Sequence, residues 1–274
     1  MYKKSKGAKT KMRGIRGEAF RKKLSDILRM GNISDQDIDK ILDNGGMEMY
    51  DVVFTHKSFD TEINYEALEF VGDAIANKSV AYYIFTKFPY LQQPKCVVIL
   101  NKIKSHLISD KSFSKFGKKL GFWDFISTDG NTRDSQLLSI LEDVFEAFMG
   151  LTELRVDQVF GRGIGGVICS NIVSKLLDET NIPVRYEDLL DAKTRLKELT
   201  DFYNDVKISY KSTFSDKKHH VDIQFRGKVI GSGEEFVLVR AEQIAAKKAL
   251  RHLARLGYRK KIPRIYREFY NSVH

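Results

Sequence analysis

Cysteine is almost missing from this chain: 274 residues hold two, Cys96 and Cys169. Both sit in apolar stretches, beside Val97-Val98-Ile99 and Val167-Ile168. That excludes a disulfide framework or a cysteine zinc site and suggests two buried thiols of a reducing compartment. Long apolar runs are also lacking. None reaches about 18 residues, so no membrane span is expected. The N-terminus is basic but has no apolar segment behind it, which argues against a secretory signal. Basic, acid-poor ends also resemble a mitochondrial presequence. The expected location is therefore cytoplasmic, with the mitochondrial matrix or nucleus as alternatives. Proline is scarce, at four residues, and the stretch Asn64–Phe88 contains none. What the chain does have is 42% hydrophobic and 11% aromatic residues, enough for a real core and against wholesale disorder. Its length accommodates two domains or one large one.

The net charge is +10, and its distribution matters more than its size. Residues 1–23 carry ten Lys and Arg against Glu18 alone, about +9, and residues 247–274 carry nine against Glu268, about +8. By difference the middle of the chain is about −7. Basic ends around an acidic centre suggest polyanion-binding arms flanking a metal-dependent site. The alternative is that the ends are solubilising tails.

Residues 1–19 are polar, basic and broken by Gly7, Gly14 and Gly17, and are expected to be a disordered extension. Helical periodicity begins at Phe20, Leu24, Ile27 and Leu28. Ser34-Asp35-Gln36-Asp37 starts a second helix, and Asn44-Gly45-Gly46 ends it. A long helix is expected over Asn64–Phe88, then a loop between Pro89 and Pro94, and one or two helices over Val97–Leu120. Further helices are expected over Gln136–Leu151 and Gly165–Leu177. Near Asp178–Pro183 the pattern changes. A helix over Tyr186–Thr200 is followed by strand-like alternation at 206–210, 221–225 and 228–230, then an alanine-rich helix over Arg240–Leu256. The fold class is thus an all-α domain (20–178) followed by a small α+β domain of α-β-β-β-α order (184–256), with a basic C-terminal tail (257–274).

Two acidic stretches carry the chemistry. Glu69 and Asp73 are spaced i, i+4, and Asp143 and Glu146 i, i+3, so on helices each pair shares one face. An acidic pair on a helix is usually a solvated face. These, however, sit among Leu68, Phe70, Val71 and Ile75, and among Ile140, Leu141, Val144, Phe145 and Phe148. Carboxylates embedded among apolar residues are costly unless neutralised, and a divalent cation does that. Four hard oxygen donors suit Mg²⁺ or Mn²⁺ and hence phosphodiester hydrolysis.

The surrounding residues are more specific. Tyr65-Glu66-Ala67-Leu68-Glu69-Phe70-Val71-Gly72-Asp73 resembles the signature of the ribonuclease III family, usually N-E-R-L-E-F-L-G-D. Phe54-Thr55-His56-Lys57-Ser58-Phe59 before it is similar to the family's L-T-H-x-S-[FY]. Ile140-Leu141-Glu142-Asp143-Val144-Phe145-Glu146-Ala147 after it resembles I-L-A-D-x-x-E-A. The resemblance spans roughly residues 25–256. It implies a helical nuclease domain working as a homodimer on double-stranded RNA. Glu69, Asp73, Asp143 and Glu146 would be the catalytic, metal-binding carboxylates, with Mg²⁺ as cofactor and Mn²⁺ as a substitute. One ion would activate water and another would stabilise the leaving 3′ oxygen, giving 5′-phosphate and 3′-hydroxyl ends with short 3′ overhangs. Glu66 matches a further acidic position of unassigned role. Phe70 matches the aromatic that packs into the dimer partner, or else is a core residue. His56 matches a structural position. The acidic residue the family carries in the loop after this helix has no counterpart in Leu91-Gln92-Gln93-Pro94-Lys95.

The C-terminal part resembles a double-stranded-RNA-binding domain. Lys193–Leu199 is similar to its first helix, with Lys197 and Glu198 as implied RNA contacts, and Ala241–Leu250 to its last, with Lys247 and Lys248. Before that last helix, Glu234–Arg240 is acidic and then apolar, leaving Arg240 as the one basic contact. The segment Ser215–His220 is expected to be a loop without the usual Gly-Pro that keeps His219 as a contact. The implied fold is kept and its grip on RNA weakened. Gly161-Arg162-Gly163-Ile164-Gly165-Gly166 satisfies G-x-G-x-x-G but follows no buried strand, and reads as a turn between helices. The competing functional reading is a non-catalytic RNA-binding, structural or duplex-sequestering protein on the same fold.

Overall fold

The computed structural model describes residues 10–108 and 110–274, so the expected basic extension at residues 1–9 lies outside the described residues. The chain divides into two compact units: residues up to Gln92 with Ile103–Ile182, and Gln93–Lys102 with Pro183–His274.

The first unit is helical apart from a two-stranded ribbon. Its elements are β1 (Lys11–Met12), α1 (Glu18–Met30), α2 (Asp35–Leu42), α3 (Gly46–Val53) and α4 (Glu66–Lys87), then the end of α5 (Val97–Leu107, whose residues up to Lys102 fall in the second unit), α6 (Asp110–Lys119), β2 (Thr128–Asp129), α7 (Gly130–Ser135), α8 (Leu137–Phe160) and α9 (Ile164–Asp178). Phe20, Leu24, Ile27 and Leu28 make the buried stripe of α1 at helical spacing. Ser34 caps α2, its hydroxyl accepting from the Asp37 amide at 3.2 Å. The centre is α8, buried on almost every side from Ile140 to Val156. It runs past the expected end at Leu151 and stops at Gly161, whose φ of 109° a glycine tolerates. A short helix the sequence reading passed over, α3, buries Tyr50 and Val53. The Tyr50 hydroxyl meets Thr152 Oγ1 on α8 at 3.0 Å.

Residues 10–17 correct the expectation of disorder through residue 19. They form a strap in which β1 pairs antiparallel with β2, Lys11 opposite Asp129. Gly14 lies so close that a Cβ would meet the Phe125 carbonyl. Arg16 donates to Phe125 O at 2.5 Å and Ser127 Oγ at 3.1 Å, and pairs with Asp51 as Arg13 does. Polar side chains with tertiary partners order this segment, which hydrophobic patterning does not register.

The second unit contains α10 (Tyr186–Leu189), α11 (Ala192–Phe202), the sheet β3 (Ile208–Ser215), β4 (Lys218–Phe225) and β5 (Lys228–Glu235), then α12 (Leu238–Arg255) and α13 (Arg264–Val273). The expected single helix over 186–200 is broken, because Leu190 is extended and Asp191 caps α11 by accepting from the Thr194 amide. The antiparallel sheet runs β3-β4-β5. Its core gathers Leu196, Leu199, Val221, Ile223, Phe225 and the alanines of α12. The expected loop at 215–220 is corrected to a two-residue turn, Asp216-Lys217, both at positive φ. His219 therefore lies in β4, opposite Phe214. The expected C-terminal tail contains α13, which buries Tyr266 and Phe269. No helix among the described residues is long and apolar enough to cross a membrane.

Candidate active site

The site is built on a glycine crossing. A Cβ on Gly72 of α4 would stand 1.7 Å from the Glu146 carbonyl oxygen, and one on Gly150 of α8 would stand 2.4 Å from that of Leu68. The two backbones are in contact, which only missing side chains allow. The face of α4 with Glu69 and Asp73 is thereby brought against the face of α8 with Asp143 and Glu146. Glu69, Asp73 and Glu146 line a cleft of about 840 Å³, with Phe70 and Glu66 on its wall. Glu146 is buried, Glu69 and Asp143 half-buried, and Asp73 exposed.

Two neutral side chains hold the outer carboxylates. The Tyr65 phenol donates to Asp143 Oδ2 at 3.0 Å, and Asn77, one turn along α4, donates to Asp73 Oδ1 at 2.6 Å. Tyr65 is itself fixed: its ring is buried and its amide donates to Thr55 O at 3.1 Å. Among the described residues none of the four carboxylates lies within ion-pair distance of a Lys, Arg or His. Lys57 is engaged with Glu66 at 2.5 Å instead.

The consequence is a cluster of negative charge that Lys57, paired with Glu66, offsets only in part. Burial, reinforced by the charges of Asp143 and Glu66, lifts Glu69 to about 7. Burial, with Asp73 and Glu142 nearby, lifts Glu146 to about 8. Asp143 is also raised by burial, against the Tyr65 hydrogen bond. Hard oxygen donors, three of them at least half-buried and only partly offset by Lys57, fit a divalent cation. The carboxylates are not drawn into a closed cage, since among the described residues no three acidic, His or Cys groups converge tightly enough to hold a metal ion.

This arrangement sets a pH dependence. Acids raised in the folded state bind protons more tightly there than in the unfolded chain. The stability they lend is complete below their ordinary value of 4.5 and is lost as pH rises through about 7 and about 8. Melting of the protein in chelator is expected to shift to lower temperature between pH 5 and pH 8. Mg²⁺ should restore more at pH 8 than at pH 5.5, because below pH 7 it competes with protons. Thermal melts in chelator and in Mg²⁺ across that range check this; a Mg²⁺ effect independent of pH would contradict it.

The other expected residues fall as follows. Phe70 is 82% exposed, which overturns the core alternative for it. His56 is buried, its Nδ1 accepting from the Ser58 amide at 3.0 Å. In the second unit Lys197, Arg240, Lys247 and Lys248 are exposed. Glu198 is occupied internally, accepting from the Tyr186 hydroxyl at 2.5 Å and Lys260 Nζ at 3.0 Å. The ring of His219 lies 4.8 Å from that of Phe214. Phe236, Val237 and Val239 are exposed in the stretch before Arg240. The sequence reading gave no role to Tyr65 or Asn77. Asn77 was signalled by its i+4 spacing from Asp73, whereas the bond from Tyr65 reaches a different helix. Within the G-x-G-x-x-G stretch, the Asp157 carboxylate accepts from the amides of Gly163 and Gly165, a turn between α8 and α9.

Comparison with known proteins places this geometry. The family profile described as Ribonuclease III domain matches residues 66–155, which contain all four carboxylates. A protein assigned as a ribonuclease 3 in Invertebrate iridescent virus 6 is 31% identical over 264 residues, covering 88% of this chain and 89% of the relative. One from Frog virus 3 (isolate Goorha) is 36% identical over 220 residues and 78% of this chain, which spans 58% of that relative's length. The ribonuclease 3 of Enterococcus faecalis (strain ATCC 700802 / V583) is 29% identical over 76% of this chain and 91% of its own. Among solved structures, the ribonuclease III nuclease domain from Campylobacter jejuni matches 57% of this chain and 97% of its own at 26% identity, with a TM-score of 0.42.

Proposed function

Because the chain belongs to the ribonuclease III family and is a ribonuclease III-type enzyme, we propose that it hydrolyses double-stranded RNA at the α4–α8 carboxylates. It leaves 5′-phosphate and 3′-hydroxyl ends with short 3′ overhangs. The observation that carries this is the Gly72–Gly150 crossing, which sets the α4 carboxylates against those of α8, with Glu69, Asp73 and Glu146 lining one cleft. Glu69, Asp73, Asp143 and Glu146 would hold Mg²⁺, or Mn²⁺ in its place. The chemistry supplied by such a cation would be charge neutralisation of the cluster, a more acidic water for attack on phosphorus and support for the leaving oxygen. The protein's part is positional. Tyr65 holds Asp143, Asn77 holds Asp73, and the helix crossing fixes the spacing between the two pairs. The acidic cleft repels an RNA phosphate until it is neutralised, so substrate and cation binding are coupled.

Holding the duplex falls to the basic surfaces. Lys197, Arg240, Lys247 and Lys248 supply exposed cations, each phosphate contact adding salt-dependent affinity. The apolar run Phe236–Val239 before Arg240 and the shortened β3–β4 turn support a weaker grip than the family's usual domain provides. His219, in a strand and beside Phe214, is a less favourable contact than a loop residue.

Homodimerisation through Phe70 completes the reading. A phenylalanine ring that is 82% exposed beside the catalytic cleft is costly to leave in water, at roughly 1.5–3 kcal/mol of unrealised burial. Phe70→Asp is expected to convert a dimer to a monomer in sedimentation velocity and to lower duplex cleavage, with the melting temperature of the fold unchanged. A dimer that persists in that variant would remove Phe70 from the interface. The direct test of the activity is incubation of long duplex RNA with the protein and Mg²⁺, followed by analysis of product ends.

A further inference from the structure

Within the second unit, α13 lies against α10 and closes a cleft of about 500 Å³, walled by Arg185, Tyr186 and Glu187 on one side and Tyr266, Arg267 and Tyr270 on the other. The walls are fixed. Tyr266 is buried and meets Tyr186 edge-to-face at 5.0 Å. The Tyr186 hydroxyl is anchored on Glu198, which Lys260 also holds. The cleft's arginines are exposed. Arg185 lies 5.8 Å from the Tyr270 ring, and among the described residues neither its guanidinium nor that of Arg267 is paired with a carboxylate. Outside the cleft lining, the imidazole of His274 stacks on Tyr270 at 4.3 Å and 26°, a flat nitrogen heterocycle on a phenol ring.

We propose that this cleft binds an unpaired RNA nucleotide together with its phosphate. The base stacks on the Tyr270 ring that lines the cleft. Arg185 and Arg267 take the phosphate, and Glu187 accepts from an N–H on the base edge. Guanidinium groups over aromatic rings are the chemistry by which proteins hold splayed-out bases and their phosphates. A volume of about 500 Å³ suits one nucleotide. An acidic or phosphorylated peptide would meet the same arginines, but Glu187 would repel it and the stacking face would go unused. The inference rests on the chain acting on RNA. It gives the enzyme a contact for an unpaired strand end that is separate from the carboxylates and from Lys247 and Lys248.

The test uses the full chain in chelator, so that nothing is cut. A 5′-phosphorylated RNA trinucleotide, a nucleoside monophosphate, inorganic phosphate and a phosphotyrosine peptide are titrated by calorimetry. The trinucleotide is expected to bind tightest, the monophosphate more weakly, and phosphate alone least. Arg267→Ala with Tyr270→Ala on one wall, and separately Arg185→Ala on the other, should each weaken the trinucleotide at least about tenfold with the melting temperature unchanged, as loss of one stacked base or one phosphate contact implies. Affinity unaltered in both variants overturns the proposal, as does tighter binding of the peptide. A monophosphate that binds tighter than the trinucleotide overturns the strand-end assignment. Cleavage of blunt duplex in Mg²⁺ is read separately: its absence in the unaltered protein would remove the nuclease reading without touching nucleotide binding.

Discussion

Glu146→Gln is expected to abolish duplex cleavage while RNA binding persists. Glu146 is the most buried of the four carboxylates, and burial among like charges lifts it to about 8. Glutamine keeps the shape and removes the charge that a cation would neutralise. Loss of even an outer partner of a metal ligand typically lowers activity roughly 10–100-fold, so loss of the ligand itself should exceed about 10²-fold. The exposed cations of α12 are left in place, so duplex affinity in chelator should stay within about twofold. The same change should raise the melting temperature of the metal-free protein at pH 8, because one of the mutually repelling carboxylates is gone. Lost activity with gained apo stability separates a ligand from a merely structural residue. Cleavage assays and melts at pH 8 read both; retained cleavage would remove Glu146 from the catalytic set.

Gly72→Ala is expected to unsettle the fold and the site together. In an ordinary helix interior the exchange gains up to about 1 kcal/mol from backbone entropy. Here the added methyl would stand 1.7 Å from the Glu146 carbonyl oxygen, a backbone atom that no rotamer change can move. Overpacking against movable neighbours already costs roughly 1–3 kcal/mol, so the clash outweighs the entropy. A net loss of about 2 kcal/mol lowers the melting temperature by roughly 4–8 °C for a unit of this size. Separation of α4 from α8 also parts the carboxylate pairs, so activity falls with stability. Gly166→Ala in α9 is the control, because its Cβ would meet the flexible ends of Lys78 and Glu153 at 3.1 and 3.4 Å. That variant should be neutral or slightly stabilised. Equal melting temperatures for the two variants would contradict the crossing.

Much of this was legible in the sequence, for identifiable reasons. The i, i+4 and i, i+3 acidic pairs marked both carboxylate helices because helical spacing is local. That Gly72 faces Glu146 was hidden, since which helices cross is a tertiary fact. Tyr65 stood in plain view within the signature, yet its partner Asp143 lies 78 residues away. The strap at residues 10–17 was missed because Arg16 and Gly14 are ordered by distant carbonyls rather than by apolar periodicity. Helix α13 is masked in the sequence by its basic charge, because only two of its residues, Tyr266 and Phe269, are buried. The β3–β4 turn was read as a loop because Asp216 and Lys217 adopt positive φ without a glycine to announce it.

The central claim is that the Gly72–Gly150 crossing assembles a cation-dependent centre for cutting RNA duplexes. Its most direct measurement is the fate of a long, end-labelled RNA duplex incubated with the purified protein, with Mg²⁺ and with chelator. The account predicts duplex fragments with 5′-phosphates and short 3′ overhangs in Mg²⁺, and intact RNA in chelator. Intact duplex in Mg²⁺ alongside protein that binds it, or cleavage that proceeds equally in chelator, would contradict it.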